Sequence, residues 1–97
     1  MSTEDTLQKE AQLNDDLHGA SKAKNVLENE TFELAWKTVR VNMLEELLNC
    51  PFRDKEGREY LWLSIKALDN VIVQLRSMVD SGTMAEHQLN SLHKSKG

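Results

Sequence analysis

Histidine and acidic side chains, which often perform catalysis or bind metals, are scattered along this sequence. His18, His87 and His93 lack the i, i+4 spacing that places two imidazoles on one helix face. The neighbours Glu45 and Glu46 fall on the polar side of a predicted helix, where solvation is the ordinary state. The sequence therefore predicts no metal site, and it offers no nucleophile, base and oxyanion donor that would form an active site.

The one cysteine and the glycine of the central connector offer no better basis for chemistry. Cys50 precedes Pro51 at a predicted helix end and has no histidine near it in the sequence, so a packing role explains it. Gly57 stands alone among charged residues, without the glycine-rich loop that binds phosphates. We expect no cofactor and no enzymatic activity. A lone thiol also fits a reducing compartment, which predicts a cytoplasmic location.

Composition favours a small, weakly acidic helical protein. The 97 residues include one Pro and four Gly, 29% are charged, and the net charge is −4. Few breakers among many Leu, Glu, Lys, Gln and Ala residues are typical of helices. Because acidic residues concentrate in residues 1–30 and no basic face forms, nucleic acid is not expected as a main ligand. No apolar run approaches the roughly 18–20 residues of a membrane span, so no membrane contact is expected.

Hydrophobic spacing predicts an all-α fold: an antiparallel helical hairpin with a long second helix, plus short N- and C-terminal helices. Residues 1–22 form an acidic, weakly helical segment, whose helix is expected to stop at Gly19. Residues 23–93 form the helical domain, and residues 94–97 a mobile tail. The domain is expected to contain three helices, at about 30–49, 55–81 and 84–93.

Capping residues place the ends of these helices. Asn29 and Asp54 are the expected N-caps of the two long helices. Gly82 suits the C′ position at which the second of them would end. The spacing Thr83-x-x-Glu86 has the pattern of a capping box, which predicts the start of a separate last helix.

Projection at 100° per residue gives each long helix two apolar rows. The first rows are the predicted core stripe: Phe32, Trp36, Val39, Met43, Leu47, Leu61, Ile65, Leu68, Ile72, Leu75 and Val79. The second rows, with one tryptophan beside them, are the candidate interface: Leu34, Val41, Leu44, Leu48, Tyr60, Trp62, Ser64, Ala67, Val71 and Met78. Two readings of Trp62 stay open, because it either marks a contact with a partner or lies beneath the N-terminal segment.

The second apolar rows are the feature of the sequence that bears most on function. Two helices joined by a short connector bury one stripe each in an antiparallel hairpin. The two short helices are too small to cover what remains, so we expect self-association into an oligomeric helical bundle. The alternative is a monomeric bundle of three or four helices in which every row is just covered.

The motifs Pro51-x-x-Asp54-x-x-Gly57-Arg58-Glu59 and Asp80-x-Gly82-x-x-Ala85-x-x-x-Leu89, on either side of the long helix, give the sequence a resemblance to a protein group. Over about residues 23–92 it resembles small helical proteins of tailed bacteriophages and prophages. The resemblance implies a virion structural or assembly protein, present in the host cytoplasm or incorporated into a virion. Its expected partners are itself, as a homo-oligomer, or another phage protein.

Three functions follow as hypotheses. The first is a non-enzymatic, self-associating structural or interaction protein of the phage type. The second is a small regulatory adaptor that binds a host or phage protein through its N-terminal segment. The third is a DNA-packaging accessory factor, which the acidic charge disfavours.

Overall fold

The computed structural model describes residues 3–95, without the side chain of Ser95, and every element in this range is helical. Helix α1 spans Thr3–Glu28, α2 spans Glu30–Asn49 and α3 spans Lys55–Ser95. The predicted all-α class is confirmed. Of the predicted mobile tail, Lys94 and Ser95 belong to α3, and the last two residues lie outside the described part.

Helix α2 spans the range that its capping residues indicate. Asn29 has extended backbone angles (φ −70°, ψ 118°), and its side-chain oxygen accepts a hydrogen bond of 2.9 Å from the Phe32 N–H. This satisfies one of the donors that a helix start leaves unpaired. At the other end, Pro51 disfavours helical angles at Cys50, whose N–H donates to the Leu47 carbonyl at 3.3 Å.

Helix α3 starts after a five-residue connector. Asp54 is its N-cap, since its Oδ1 accepts a hydrogen bond of 2.9 Å from the Gly57 N–H. Glu56 adds negative charge in the first turn, where the helix dipole favours it.

The predicted break at Gly82 is wrong, because α3 continues through this residue to Ser95. No described glycine has a positive φ, so Gly82 does not take the left-handed conformation of a C′ residue. Instead it lies against α1, where an added Cβ would overlap the Cβ of Ala20. Thr83 is a mid-helix residue whose hydroxyl donates to the Val79 carbonyl at 3.3 Å, so the predicted separate helix over 84–93 does not exist.

The predicted short N-terminal helix is also wrong in length, because α1 has 26 residues and passes through Gly19. Its buried residues are Leu13, Ala20 and Ala23. Two of these three are alanines, which a search for large apolar residues does not count. Tertiary packing of such a face supplies most of the stability of a helix in a protein.

The chain divides into two compact units that share α3. The first contains α1 up to Leu27 together with α3 from Leu75 onward, and the second contains residues Glu28–Gln74. The predicted division into residues 1–22 and 23–93 thus differs from the spatial one.

The core of the first unit lies between α1 and α3. Leu13 packs with Ala85 and Leu89, with Leu17 and Leu92 half-buried against them. Further along α1, Ala20 meets Gly82, so the partners on α3 occur in reverse chain order. The two helices are therefore antiparallel here, and they approach closely because the residues at the crossing are small.

The core of the second unit is thin. Its buried hydrophobic residues are Ile65 and Ile72, both on α3. One ion pair joins the two helices of this unit, from Arg40 Nε to Asp69 Oδ1 at 2.9 Å. None of the described helices is both long enough and apolar enough to cross a bilayer.

Candidate interaction surface

On α2, most of the predicted core stripe is half-buried. Phe32, Trp36, Met43 and Leu47 are in this class, whereas Val39 is 48% exposed and does not belong to the core. The half-buried Arg40 occupies the inward position instead, and it completes the helical spacing between Trp36 and Met43. An arginine is tolerated there because its guanidinium is paired with the Asp69 carboxylate.

On α3, the predicted core stripe lies on the inward side throughout. Ile65 is 7% exposed and Ile72 is 3% exposed. The remaining members of the stripe are half-buried: Leu61, Leu68, Leu75 and Val79. Two of the six residues of the stripe on α3 are thus buried, and the other four are partly accessible to solvent.

The candidate interface residues of α2 lie largely in solvent. Leu34, Val41 and Leu48 are 69%, 51% and 84% exposed, and they follow one another at intervals of seven residues. This interval places them on one side of the helix, and we call the three residues the α2 row. Leu44, predicted with them, is half-buried.

The candidate interface residues of α3 are exposed over the first half of the helix. Tyr60 is 71% exposed, Val71 is 54% exposed, and Ala67 is also exposed, while Ser64 is half-buried. These four residues are called the α3 row below. Met78, predicted with them, is 36% exposed. Its Cε lies 3.7 Å from the position that a Cβ on Gly19 would occupy, so one end of this side chain is near α1.

Trp62 is 52% exposed, with the Lys66 ammonium 5.3 Å from its ring centroid. Half of its surface is thus open to a contact. A lysine over an indole face is attracted by the ring quadrupole, and this attraction grows when a partner excludes water.

Within residues Glu28–Gln74, three exposed apolar residues have no place in the sequence prediction: Phe52, Leu63 and Val73. Phe52 is 85% exposed in the connector, with the Arg58 guanidinium 5.3 Å from its ring centroid, and Leu63 is 55% exposed beside the α3 row. The sequence feature that indicates exposure of Phe52 is its position directly after Pro51, in a turn too short for another element to cover it. Leu63 projects about 40° from Ala67, on the side of the α3 row away from the core stripe, and the three- and four-residue spacing that defines the row leaves it out.

Electrostatics in the second unit centre on the Arg40–Asp69 pair. The hydrogen bond from Arg40 holds the pKa of Asp69 below its ordinary value of 3.8, although burial acts in the opposite direction. Both side chains are partly exposed, at 39% and 38%, so solvent screens the attraction. The contribution of the pair to stability is therefore modest.

The described residues contain no group of three His, Cys, Asp or Glu side chains that would hold a metal ion. The chain matches no family model, no curated protein and no solved structure.

Proposed function

We propose that this protein is a non-enzymatic helical interaction protein whose function depends on self-association. The observation that carries the proposal is the imbalance of apolar surface in residues Glu28–Gln74. This unit buries two large apolar side chains, Ile65 and Ile72, and exposes ten. The exposed ones are Leu34, Val39, Val41, Leu48, Phe52, Tyr60, Trp62, Leu63, Val71 and Val73.

Physical reasoning supports an association rather than a free surface. Folded segments below roughly 70–80 residues obtain little stability from a single core, and natural examples often add oligomerisation. Apolar patches larger than a few hundred Å² are rare on monomers, whereas interfaces concentrate them. A second copy that covers the α2 row or the α3 row would supply the missing core.

The proposal includes the hairpin arrangement of α2 and the first half of α3. The five-residue connector between Asn49 and Lys55 is too short for the chain to leave the neighbourhood of α2. The Arg40–Asp69 pair then joins points on either side of that turn. Two such hairpins pack into a four-helix bundle, a common way to bury a second apolar row on each helix.

A virion structural or assembly role is the biological setting that we propose for this association, on the basis of the resemblance to tailed-phage proteins. The adaptor hypothesis is less favoured, because Leu13, Ala20 and Ala23 of the N-terminal helix are already buried within the chain. The DNA-packaging hypothesis still has the net charge of −4 against it.

Sedimentation equilibrium on the full chain tests the proposal. From about 1 to 100 µM, a range that brackets modest interface affinities, we expect a mass above that of the 11.1 kDa monomer. Replacing Val41→Glu together with Val71→Glu should lower the mass toward the monomer with far-UV circular dichroism unchanged, since a charge buried at an interface is strongly unfavourable.

The matched control is Asn42→Glu together with Ser77→Glu. It adds the same charge at two exposed polar positions, on the same two helices but outside the α2 row and the α3 row. The control should associate as the natural sequence does. A natural sequence that stays monomeric over the whole range overturns the proposal.

A further inference from the structure

We propose that the α3 row forms a two-fold, antiparallel contact with the same row of a second copy. This inference rests on the proposed self-association and specifies its contact surface and its orientation. The occupant is a second copy of this chain rather than an unrelated protein, because the row matches itself in charge, in side-chain size and in hydrogen bonding.

The α3 row lies in a stripe without charged residues. Between Tyr60 and Gln74, a sector of about 120° of the helix surface contains only uncharged side chains. The stripe consists of Tyr60, Leu63, Ser64, Ala67, Asn70, Val71 and Gln74. Cores of protein interfaces are depleted of charge and enriched in aromatic residues. A net charge of −4 makes two copies repel, so an uncharged face is where they meet at the lowest cost.

The spacing of the row is that of a coiled-coil seam. Its residues occur at intervals of four, three and four, which are alternating d and a positions. Antiparallel copies place each a position against a d position. In the register centred between Ser64 and Ala67, Tyr60 meets Val71 of the second copy and Ser64 meets its Ala67.

This register matches large residues with large ones and small with small. The small pair at the centre allows the helix axes to approach closely, and the larger pairs close the contact at both ends. Burying Ser64 there leaves no free donor, since its hydroxyl already donates to the Tyr60 carbonyl at 2.8 Å. The Tyr60 hydroxyl is at the end of the contact, where water reaches it.

Charge at the end of the helix favours the antiparallel orientation. Glu56 and Glu59 are in the first two turns of α3. Parallel copies would place these carboxylates beside their own counterparts, whereas antiparallel copies separate them by the length of the contact. Antiparallel packing also sets the dipoles of the two helices in opposition.

Further along α3, the same series of positions packs against α1. Gly82 and Ala85 continue the three- and four-residue spacing, and α1 packs on them through Ala20 and Leu13. The series is therefore a helix-packing surface in the part of α3 that α1 contacts.

Disulfide trapping tests the orientation. In a Cys50→Ser background, chains with Tyr60→Cys and chains with Val71→Cys are oxidised separately and as a mixture. We expect cross-linked dimers in the mixture only, since the two cysteines are adjacent across the antiparallel contact and each is about 16 Å from its own counterpart. Ser77→Cys, outside the stripe, should not cross-link under the same conditions.

A second pair of variants tests the same register without removing a large side chain. Ser64→Cys mixed with Ala67→Cys changes side-chain volume little and should also cross-link. Tyr60→Cys that cross-links with itself, or a dimer by sedimentation in which neither mixture cross-links, overturns the antiparallel contact while leaving self-association intact. A strictly monomeric natural chain removes both proposals.

Discussion

At the residue scale, the two glycines inside the helices have opposite roles. A Cβ added to Gly82 would overlap the Ala20 side chain, whereas one added to Gly19 would meet only Met78 Cε at an ordinary contact distance of 3.7 Å. Gly82 is therefore present for close packing of α1 on α3. Gly19 has no such constraint, and it weakens its helix relative to alanine.

Alanine substitutions at the two glycines should shift stability in opposite directions. Gly19→Ala should raise the free energy of unfolding by about 0.5–1 kcal/mol, because alanine is the better helix former. Gly82→Ala should lower it by about 1 kcal/mol or more, since overpacking outweighs the same gain. Urea denaturation midpoints measure both. Adding Ala20→Gly to Gly82→Ala should recover part of the loss, and its failure to do so would show that the Ala20 contact is not the cause.

The Arg40–Asp69 pair predicts a pH dependence with a definite sign. The pKa of Asp69 is lowered in the folded protein, so its contribution to stability is present above its ordinary pKa of 3.8. That contribution is lost as the pH falls through the lower folded value. The difference in thermal midpoint between the natural sequence and Asp69→Asn should therefore be larger at about pH 6 than at about pH 3. An equal difference at both pH values would contradict the role given to this pair.

At the element scale, α3 is the element that both units share, and its two rows differ in what covers them. The core row from Leu61 to Val79 is buried or half-buried, while Tyr60, Ala67 and Val71 of the α3 row are exposed and Ser64 is half-buried. A helix with one covered and one open apolar row is typical of a bundle component whose partner is another helix.

A charge at Ile72 and a charge at its neighbour Val71 should have different effects on folding, because the two residues belong to different rows of α3. Ile72→Asp places a carboxylate where the side chain is 3% exposed, and we expect loss of the folded state by far-UV circular dichroism. Val71→Asp changes a side chain that is 54% exposed, so helicity should be retained while the mass in solution falls. Equal loss of helicity in the two variants would contradict the division of α3 into a core row and an interface row.

At the scale of the whole molecule, the sequence predicts the fold class correctly but not the lengths of α1 and α3. The all-α class and the bounds of α2 follow from composition and from caps that act within a few residues. The continuous α3 and the full length of α1 do not follow, because Gly19 and Gly82 have the local properties of helix ends. Long-range contacts keep both glycines helical.

In the candidate interaction surface, too, one part follows from the sequence and another depends on long-range contacts. Seven-residue spacing identifies the α2 row from the sequence, and its three residues are exposed. Spacing does not distinguish Val39 from Arg40, since neighbouring residues on a helix differ by only 100°. The Asp69 carboxylate on another helix decides which of them faces inward.

The sequence by itself therefore determined that this chain is helical and where α2 begins and ends. These properties depend on hydrogen bonds and side-chain spacing within a few residues of one another. Only the tertiary structure decided that α3 is one helix of 41 residues and that small residues join it to α1. The physical reason is steric, because a missing Cβ at Gly82 permits either a helix end or a close helix crossing. The choice depends on Ala20, a residue far away in the chain.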